Sequence, residues 1–284
     1  GLTQKELADK LKTSQSAINR IEAGKQNVTL EMLARISDVL NKEIISLGSD
    51  SVNLRVEGGH KLRGSIDTKV SKNATVGLLC AALLNRGTTT LKKVPKIEEV
   101  FRLIEVLQSI GVKVTWLDDG DVEIKPPKVL KLEDIDAKAA RRTRSIIMYL
   151  GPLMHRYKEF RLPYAGGCKL GKRTVAPHLY ALEEFGLSVD TKNNYYHVTV
   201  RKKSPKEVTL YEMGETVSEN VLMAAAMTEG TTIIRNISSN YMVQDMCFFL
   251  EKLGARIEGI GTNTLTVHGV KDVEKNITYA PSED

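Results

Sequence analysis

The sequence predicts an α/β chain, or α+β in the looser sense, built from three repeated units behind a small all-α module. Three observations carry that prediction. Nearly all-apolar helical runs start near Asn73, Ser145 and Ser218, at intervals of 72 and 73 residues. After each run comes an amphipathic helix that stops at a glycine before a strand, in Ile110-Gly111-Val112, Phe185-Gly186-Leu187 and Leu253-Gly254-Ala255. Residues 1–47 carry helix signals of their own, with the first cap at Thr3.

Thr3-Gln4-Lys5-Glu6 has the form of a capping box, and Leu7, Ala8 and Leu11 follow at helical spacing. Ser14 can cap a second helix running to about Glu22, with Ile18 and Ile21 inward and Gly24 as its stop. A third helix, Leu30 to Leu40, turns Leu33, Ile36, Val39 and Leu40 inward. Two short helices across a tight turn make a helix-turn-helix. The stretch from Leu2 to Gly24 resembles the XRE/Cro-type repressors. That resemblance implies a second helix in the major groove of DNA, presenting Gln15, Ser16, Asn19 and Arg20. It also implies an earlier helix before residue 1. The alternative is a helical interaction module that does not bind DNA. Gly48-Ser49-Asp50-Ser51 has the composition of a linker, so the expected division is 1–47, a linker at 48–51, and 52–284.

Within 52–284, runs such as Leu78-Leu79-Cys80-Ala81-Ala82-Leu83-Leu84 and Val221-Leu222-Met223-Ala224-Ala225-Ala226 are apolar all round, which marks buried helices. A short β-type stretch follows each, such as Thr88–Leu91 or Thr231–Ile234, and a closing strand such as Val122-Glu123-Ile124 ends the unit. Three such units should pack their apolar helices around a shared axis.

Composition narrows the function. Hydrophobic residues at 42% and charged residues at 27% describe an ordinary globular protein, and no apolar run is long enough to span a bilayer. Cys80, Cys168 and Cys247 are too few for a disulfide framework and wrongly spaced for zinc. The five histidines are scattered singly, so no metal is expected, and the natural compartment is a reducing cytoplasm. The net charge is +6, yet residues 1–50 hold seven basic and seven acidic side chains. The surplus lies in clusters such as Lys138–Arg141–Arg142–Arg144 and Lys169–Lys172–Arg173, which suit small polyanions as well as nucleic acid.

Against that background, several motifs stand out. Glu57-Gly58-Gly59 with Leu62-Arg63-Gly64, Ser71-Lys72-Asn73-Ala74 and Gly151-Pro152-Leu153 are three of them. Gly166-Gly167-Cys168-Lys169-Leu170-Gly171-Lys172-Arg173 and Ser218-Glu219-Asn220-Val221-Leu222-Met223 are the others. Together they resemble the enolpyruvyl transferases, in particular those acting on UDP-N-acetylglucosamine. The resemblance covers nearly all of 52–284, and the glycine-cysteine loop followed by arginine is its most specific part. It implies an inside-out α/β barrel of three repeats, the first of two such domains around a cleft. It implies transfer of the enolpyruvyl group of phosphoenolpyruvate to the 3-hydroxyl of UDP-N-acetylglucosamine with release of phosphate. That is the committed step of peptidoglycan precursor synthesis, and it needs no redox cofactor and no membrane. Cys168 matches the general acid that protonates C3 of phosphoenolpyruvate. Lys72, Asn73, Arg144 and Arg173 match substrate-binding positions, where arginine forks suit phosphate and carboxylate. The neighbouring cations Lys169, Lys172 and Arg173 would favour a thiolate at Cys168, whereas Cys80 and Cys247 sit in apolar runs as inert thiols.

Two departures bear on the substrate. Thr174-Val175-Ala176-Pro177-His178 places Ala176 where the family has a uridine-contacting aspartate, and Gly214-Glu215 replaces a Ser-Val pair. The start at Gly1 and the stop at Asp284 read as a partial chain, with the family's second domain and its catalytic aspartate absent. A second reading stays open: a DNA-binding regulator whose transferase-like domain senses a ligand.

Overall fold

A reciprocal capping box starts the first helix. The Thr3 backbone N–H donates to Glu6 Oε2 at 2.7 Å while the Glu6 N–H donates to Thr3 Oγ1 at 3.3 Å. The computed structural model describes residues 2–23, 28–40, 45–48, 51–54, 58–59, 61, 63–166 and 174–284. These divide into Gly1–Ile66 and Asp67–Asp284. In the first unit, α1 (Gln4–Leu11) and α2 (Gln15–Glu22, capped by Ser14) are followed by α3 (Leu30–Leu40). Leu7, Ala8, Leu11, Ile18 and Ile36 form its small core, with Ile21, Met32 and Val39 packed against it. Leu40, expected inward, is 37% exposed as the last residue of α3. The expected stop Gly24 lies outside the described residues.

The linker expected at 48–51 falls on a strand pair. β1 (Ile45–Gly48) and β2 (Ser51–Leu54) run antiparallel with Gly48 opposite Ser51. The linker's two described ends, Gly48 and Ser51, are thus ladder residues, while packing divides the chain into compact units after Ile66. Ser49 and Asp50 lie outside the described residues.

The second unit repeats one order of elements three times. First come α4 (Lys72–Ala81), β3 (Thr89–Leu91), α5 (Glu98–Ser109), β4 (Lys113–Trp116) and β5 (Val122–Lys125). After the short α6 (Ala137–Ala140), a 3-10 helix (Arg144–Tyr149) runs into α7 (Leu150–Leu153), then β6 (Glu159–Pro163), α8 (Ala176–Glu183), β7 (Leu187–Lys192) and β8 (Tyr195–Val200). Beyond β9 (Glu207–Thr209) come α9 (Glu215–Ala226), β10 (Gly230–Arg235), α10 (Tyr241–Leu253), β11 (Arg256–Glu258), β12 (Thr264–Gly269) and β13 (Ile277–Tyr279). Each set forms an antiparallel sheet with its last strand in the centre: β3-β5-β4, β6-β8-β7 and β10-β12-β11. The helix-ending glycines behave as their sequence positions require, with φ of 91° at Gly111, 90° at Gly186 and 116° at Gly254.

Two sheets gain a parallel fourth strand from the unit before. β9 follows β8 and pairs with β10, and β13 follows β12 and pairs with β3. After β5 the chain reads Pro126-Pro127, which offers no N–H to a ladder, and the β6 sheet keeps three strands. The last residues return to the start of the unit, where Ser71 N–H donates to Ser282 O and Asp284 N–H to Lys69 O. Asp245 of α10 holds that return by accepting from Tyr279 Oη at 2.7 Å and Ser282 N at 2.9 Å.

Past their first one or two residues, the first helices of the three sets are buried throughout, as their all-apolar runs dictate. Two of their starts differ from expectation. The run at Ser145 is 3-10 before it is α, because Pro152 has no N–H for Met148 O and its ring crowds that carbonyl. The third helix begins one turn before Ser218, at Glu215, with the Ser218 hydroxyl turned back onto Gly214 O at 2.7 Å. Close approach between these helices depends on small residues. A Cβ at Gly151 would meet Asn220 Oδ1 at 2.6 Å and Asn220 O at 2.7 Å. Among the described residues no helix is long and apolar enough to cross a membrane.

Candidate active site

Three helix starts converge on one cavity of about 640 Å³. Lys72 and Asn73 open α4, Arg144 and Ser145 open the 3-10 helix, and Glu215 and Thr216 open α9. Unpaired N–H groups and the positive ends of α4 and α9 favour an anion there. Lys72, Asn73 and Arg144, chosen from the sequence, are thus brought together by elements more than 70 residues apart in the chain.

Each has a defined local setting. Ser71 caps α4 through the Ala74 N–H and leaves Lys72 and Asn73 as its first residues, Asn73 exposed. Lys72 Nζ lies 2.7 Å from Glu99 Oε2, at the start of α5. The same carboxylate accepts from Ser145 Oγ at 2.7 Å and Thr143 Oγ1 at 3.1 Å. Burial opposes its ionisation, but the hydrogen bonds from Lys72 and Ser145 and the Lys72 charge outweigh that, and the Glu99 carboxyl sits below its ordinary range. Arg144 Nη2 donates to Thr174 O at 2.8 Å.

Cys168 and Arg173 lie outside the described residues, with Gly167, Lys169 and Lys172 and, further back, Glu57 and Leu62 of the opening motif. The two residues that flank 167–173 are described: Thr174 lines the cavity, and Gly166 is bonded to Thr143, the chain neighbour of Arg144. Gly166 N–H donates to Thr143 O at 3.2 Å, and Thr174 O accepts from Arg144. Position 166 admits only glycine without a rearrangement, since a Cβ would fall 1.5 Å from Arg141 O. Ala176 N–H donates to Thr174 Oγ1 at 3.1 Å.

Below the cavity runs a polar network that sequence reasoning did not single out. His178 is 2% exposed, and its Nδ1 accepts from Asn220 Nδ2 at 3.2 Å while Nε2–H faces Thr216 Oγ1 at 3.3 Å. Asn220 also donates to Ile147 O at 3.1 Å and accepts from Gly151 N–H at 2.8 Å, tying α9 to the 3-10 helix and to α7. Burial first, and then the Arg144 charge, lower the His178 pKa to about 3, so the ring is neutral. Glu99 and Glu219 were missed as well. The signal for Glu219 was available: it is the one charged residue within Val217–Ala226, a run buried throughout.

The cysteines outside the loop are core thiols. Burial raises Cys247 to about 12 and pushes Cys80 well above an ordinary thiol. In the first unit, Gln15, Ser16, Asn19 and Arg20 all lie on the exposed side of α2, while Ala17 and Ile18 are buried.

Comparison with known proteins agrees with this architecture. Residues 1–47 match the helix-turn-helix family model, and residues 56–281 match EPSP synthase (3-phosphoshikimate 1-carboxyvinyltransferase). The chain is 39% identical over 214 residues to the UDP-N-acetylglucosamine 1-carboxyvinyltransferase of Bradyrhizobium diazoefficiens, covering 75% of this chain and 49% of that protein. It is 36% identical over 216 residues to that of Treponema denticola, covering 76% and 50%. The chain thus spans about half the length of these curated relatives. Among solved structures, the enolpyruvyl transferase NikO from Streptomyces tendae shares the fold at a TM-score of 0.69 and 21% identity, over 80% of this chain and 53% of that one. With the family match running from residue 56 to residue 281, the chain belongs to the enolpyruvyl transferases.

Proposed function

We propose that the protein moves the enolpyruvyl group of phosphoenolpyruvate to the 3-hydroxyl of UDP-N-acetylglucosamine in the cytoplasm, releasing phosphate, with 67–284 forming one side of the cleft. On this reading the three α/β sets are repeats of an inside-out barrel, and the aspartate that deprotonates the sugar hydroxyl comes from outside these residues. The observation that carries the reading is the anchoring of Gly166 and Thr174 by Thr143 and Arg144, beside the cavity that holds Lys72. These two anchored residues bracket, in sequence, the segment that carries Cys168. Cys168 would protonate C3 of phosphoenolpyruvate, making C2 electrophilic toward the sugar oxygen. Lys72, Asn73, Arg144 and Arg173 would neutralise the phosphate and carboxylate.

The test uses fosfomycin, the epoxide that alkylates the family's cysteine, on the complete protein with both sides of the cleft, with peptide mapping by mass spectrometry. Selective labelling of Cys168, accelerated by UDP-N-acetylglucosamine and abolished in Cys168→Ser, is expected. Equal labelling of all three cysteines would overturn the assignment.

For residues 1–47 we infer DNA binding through α2, supported by the exposed set Gln15, Ser16, Asn19 and Arg20 and by the helix-turn-helix match.

A further inference from the structure

Glu219 is the buried charged group of the cavity that the proposed chemistry leaves unused. It is 2% exposed, lies one turn into α9 and lines the cavity. Its place between helices is shaped for it. A Cβ at Gly77 of α4 would stand 2.7 Å from Glu219 Oε1 and 2.9 Å from Cδ, so any other residue at 77 would displace the carboxyl. Among the described residues nothing hydrogen-bonds or ion-pairs with it. The two cavity cations Lys72 and Arg144 are committed elsewhere, to Glu99 and to Thr174 O.

The groups that face Glu219 decide its protonation. Burial disfavours its ionised form most, and Glu215 on α9 and Asp245 on α10 add to that, raising the carboxyl well above the ordinary range. Cys80 on α4 and Cys247 on α10, which also feel Glu219, are themselves neutral. Burial and these neighbouring carboxyls thus favour the protonated form of Glu219, whose O–H has no partner among the described residues. A buried donor facing a cavity finds its partner in whatever fills that cavity.

We propose that Glu219 donates a hydrogen bond to an oxygen of the ligand in this cavity, and so selects for a small oxyacid with a phosphoryl or carboxylate oxygen placed between α4 and α9. A neutral acid gives an anion a donor without the like charge that an ionised glutamate would bring. Raising the pH until Glu219 ionises removes the donor and adds repulsion, so ligand affinity falls on the alkaline side. This inference rests on the reading of the cavity as a phosphoenolpyruvate site.

Isothermal titration of the 284-residue chain with phosphoenolpyruvate tests it, comparing the parent with Glu219→Gln and Glu219→Leu. Glu219→Leu should bind about tenfold more weakly, whereas Glu219→Gln, which keeps an N–H donor, should stay within about threefold and lose the alkaline fall. Parent-like binding by Glu219→Leu would overturn the inference and leave the phosphoenolpyruvate reading intact. Absence of binding by the parent would overturn that reading instead. The donor state is then decided without ligand, by carbon NMR of labelled glutamate carboxyls. One carboxyl must remain protonated at neutral pH and vanish in Glu219→Gln; an ionised Glu219 rejects the proposal.

Discussion

Lys72 Nζ rests 2.7 Å from Glu99 Oε2, so the cation that the sequence marks as an anion ligand is paired with a carboxylate of α5. The pairing orients Lys72 and links it through Glu99 to Ser145 and Thr143, the two residues beside Arg144. An incoming anion competes with Glu99 for Lys72, while Ser145 and Thr143 keep the carboxylate in place.

Glu99→Gln should therefore weaken folding by about 1 kcal/mol, a modest amount because Lys72 is 42% exposed and the pair is partly screened. The folded pKa of Glu99 is depressed. Its stabilisation is thus complete above the unfolded value, about 4.3, and disappears as pH falls through the folded value. Urea unfolding of both proteins should show a gap at neutral pH that closes in acid. A pH-independent gap would mean that the charge is not what stabilises.

Helix contact between α7 and α9 should be intolerant of a single methyl. Gly151→Ala puts Cβ within 2.7 Å of both Asn220 Oδ1 and Asn220 O and should cost on the order of 2 kcal/mol. Asn220→Ala removes the acceptor of Gly151 N–H and a donor to His178, with a loss of about 1–3 kcal/mol. Chemical denaturation reads both, and a neutral Gly151→Ala would contradict the packing.

Acid should destabilise the protein through its buried histidines. Burial is the main cause that lowers His155 to about 4 and His178 to about 3. The unfolded chain takes up those protons near pH 6.5, so stability is complete above that and is lost as pH falls toward 3–4. His178→Gln should flatten the pH dependence in that window by about one proton. An unchanged slope would show that His178 is protonated in the folded state.

Thiol chemistry separates the cysteines. Cys80 and Cys247 are buried with raised pKa values, so a thiol reagent should leave both unmodified in the native chain and reach them only after unfolding. Mass mapping of a brief exposure is the check, and native labelling of Cys80 would contradict its burial.

In the first unit, Arg20→Ala and Gln15→Ala should each weaken DNA binding, with affinity falling steeply as salt rises. A gel-shift series across salt concentrations decides between the DNA-binding and interaction-module readings. Salt-independent affinity, or none, favours the latter.

The sequence by itself determined what depends on neighbours along the chain. The Thr3–Glu6 box, the Ser14 cap and the glycine stops at 111, 186 and 254 follow from local backbone chemistry, and all appear as read. The buried helices follow from runs with no polar face. Tertiary structure alone decided the rest. Lys72, Asn73 and Arg144 could be named from motifs, but their shared cavity, the Glu99 that holds Lys72 and the Glu219 carboxyl, without a partner among the described residues, exist only where α4, α5 and α9 meet. Local propensity acts over a few residues, whereas the fit between helices distant in sequence fixes which polar groups are paired and which await a ligand.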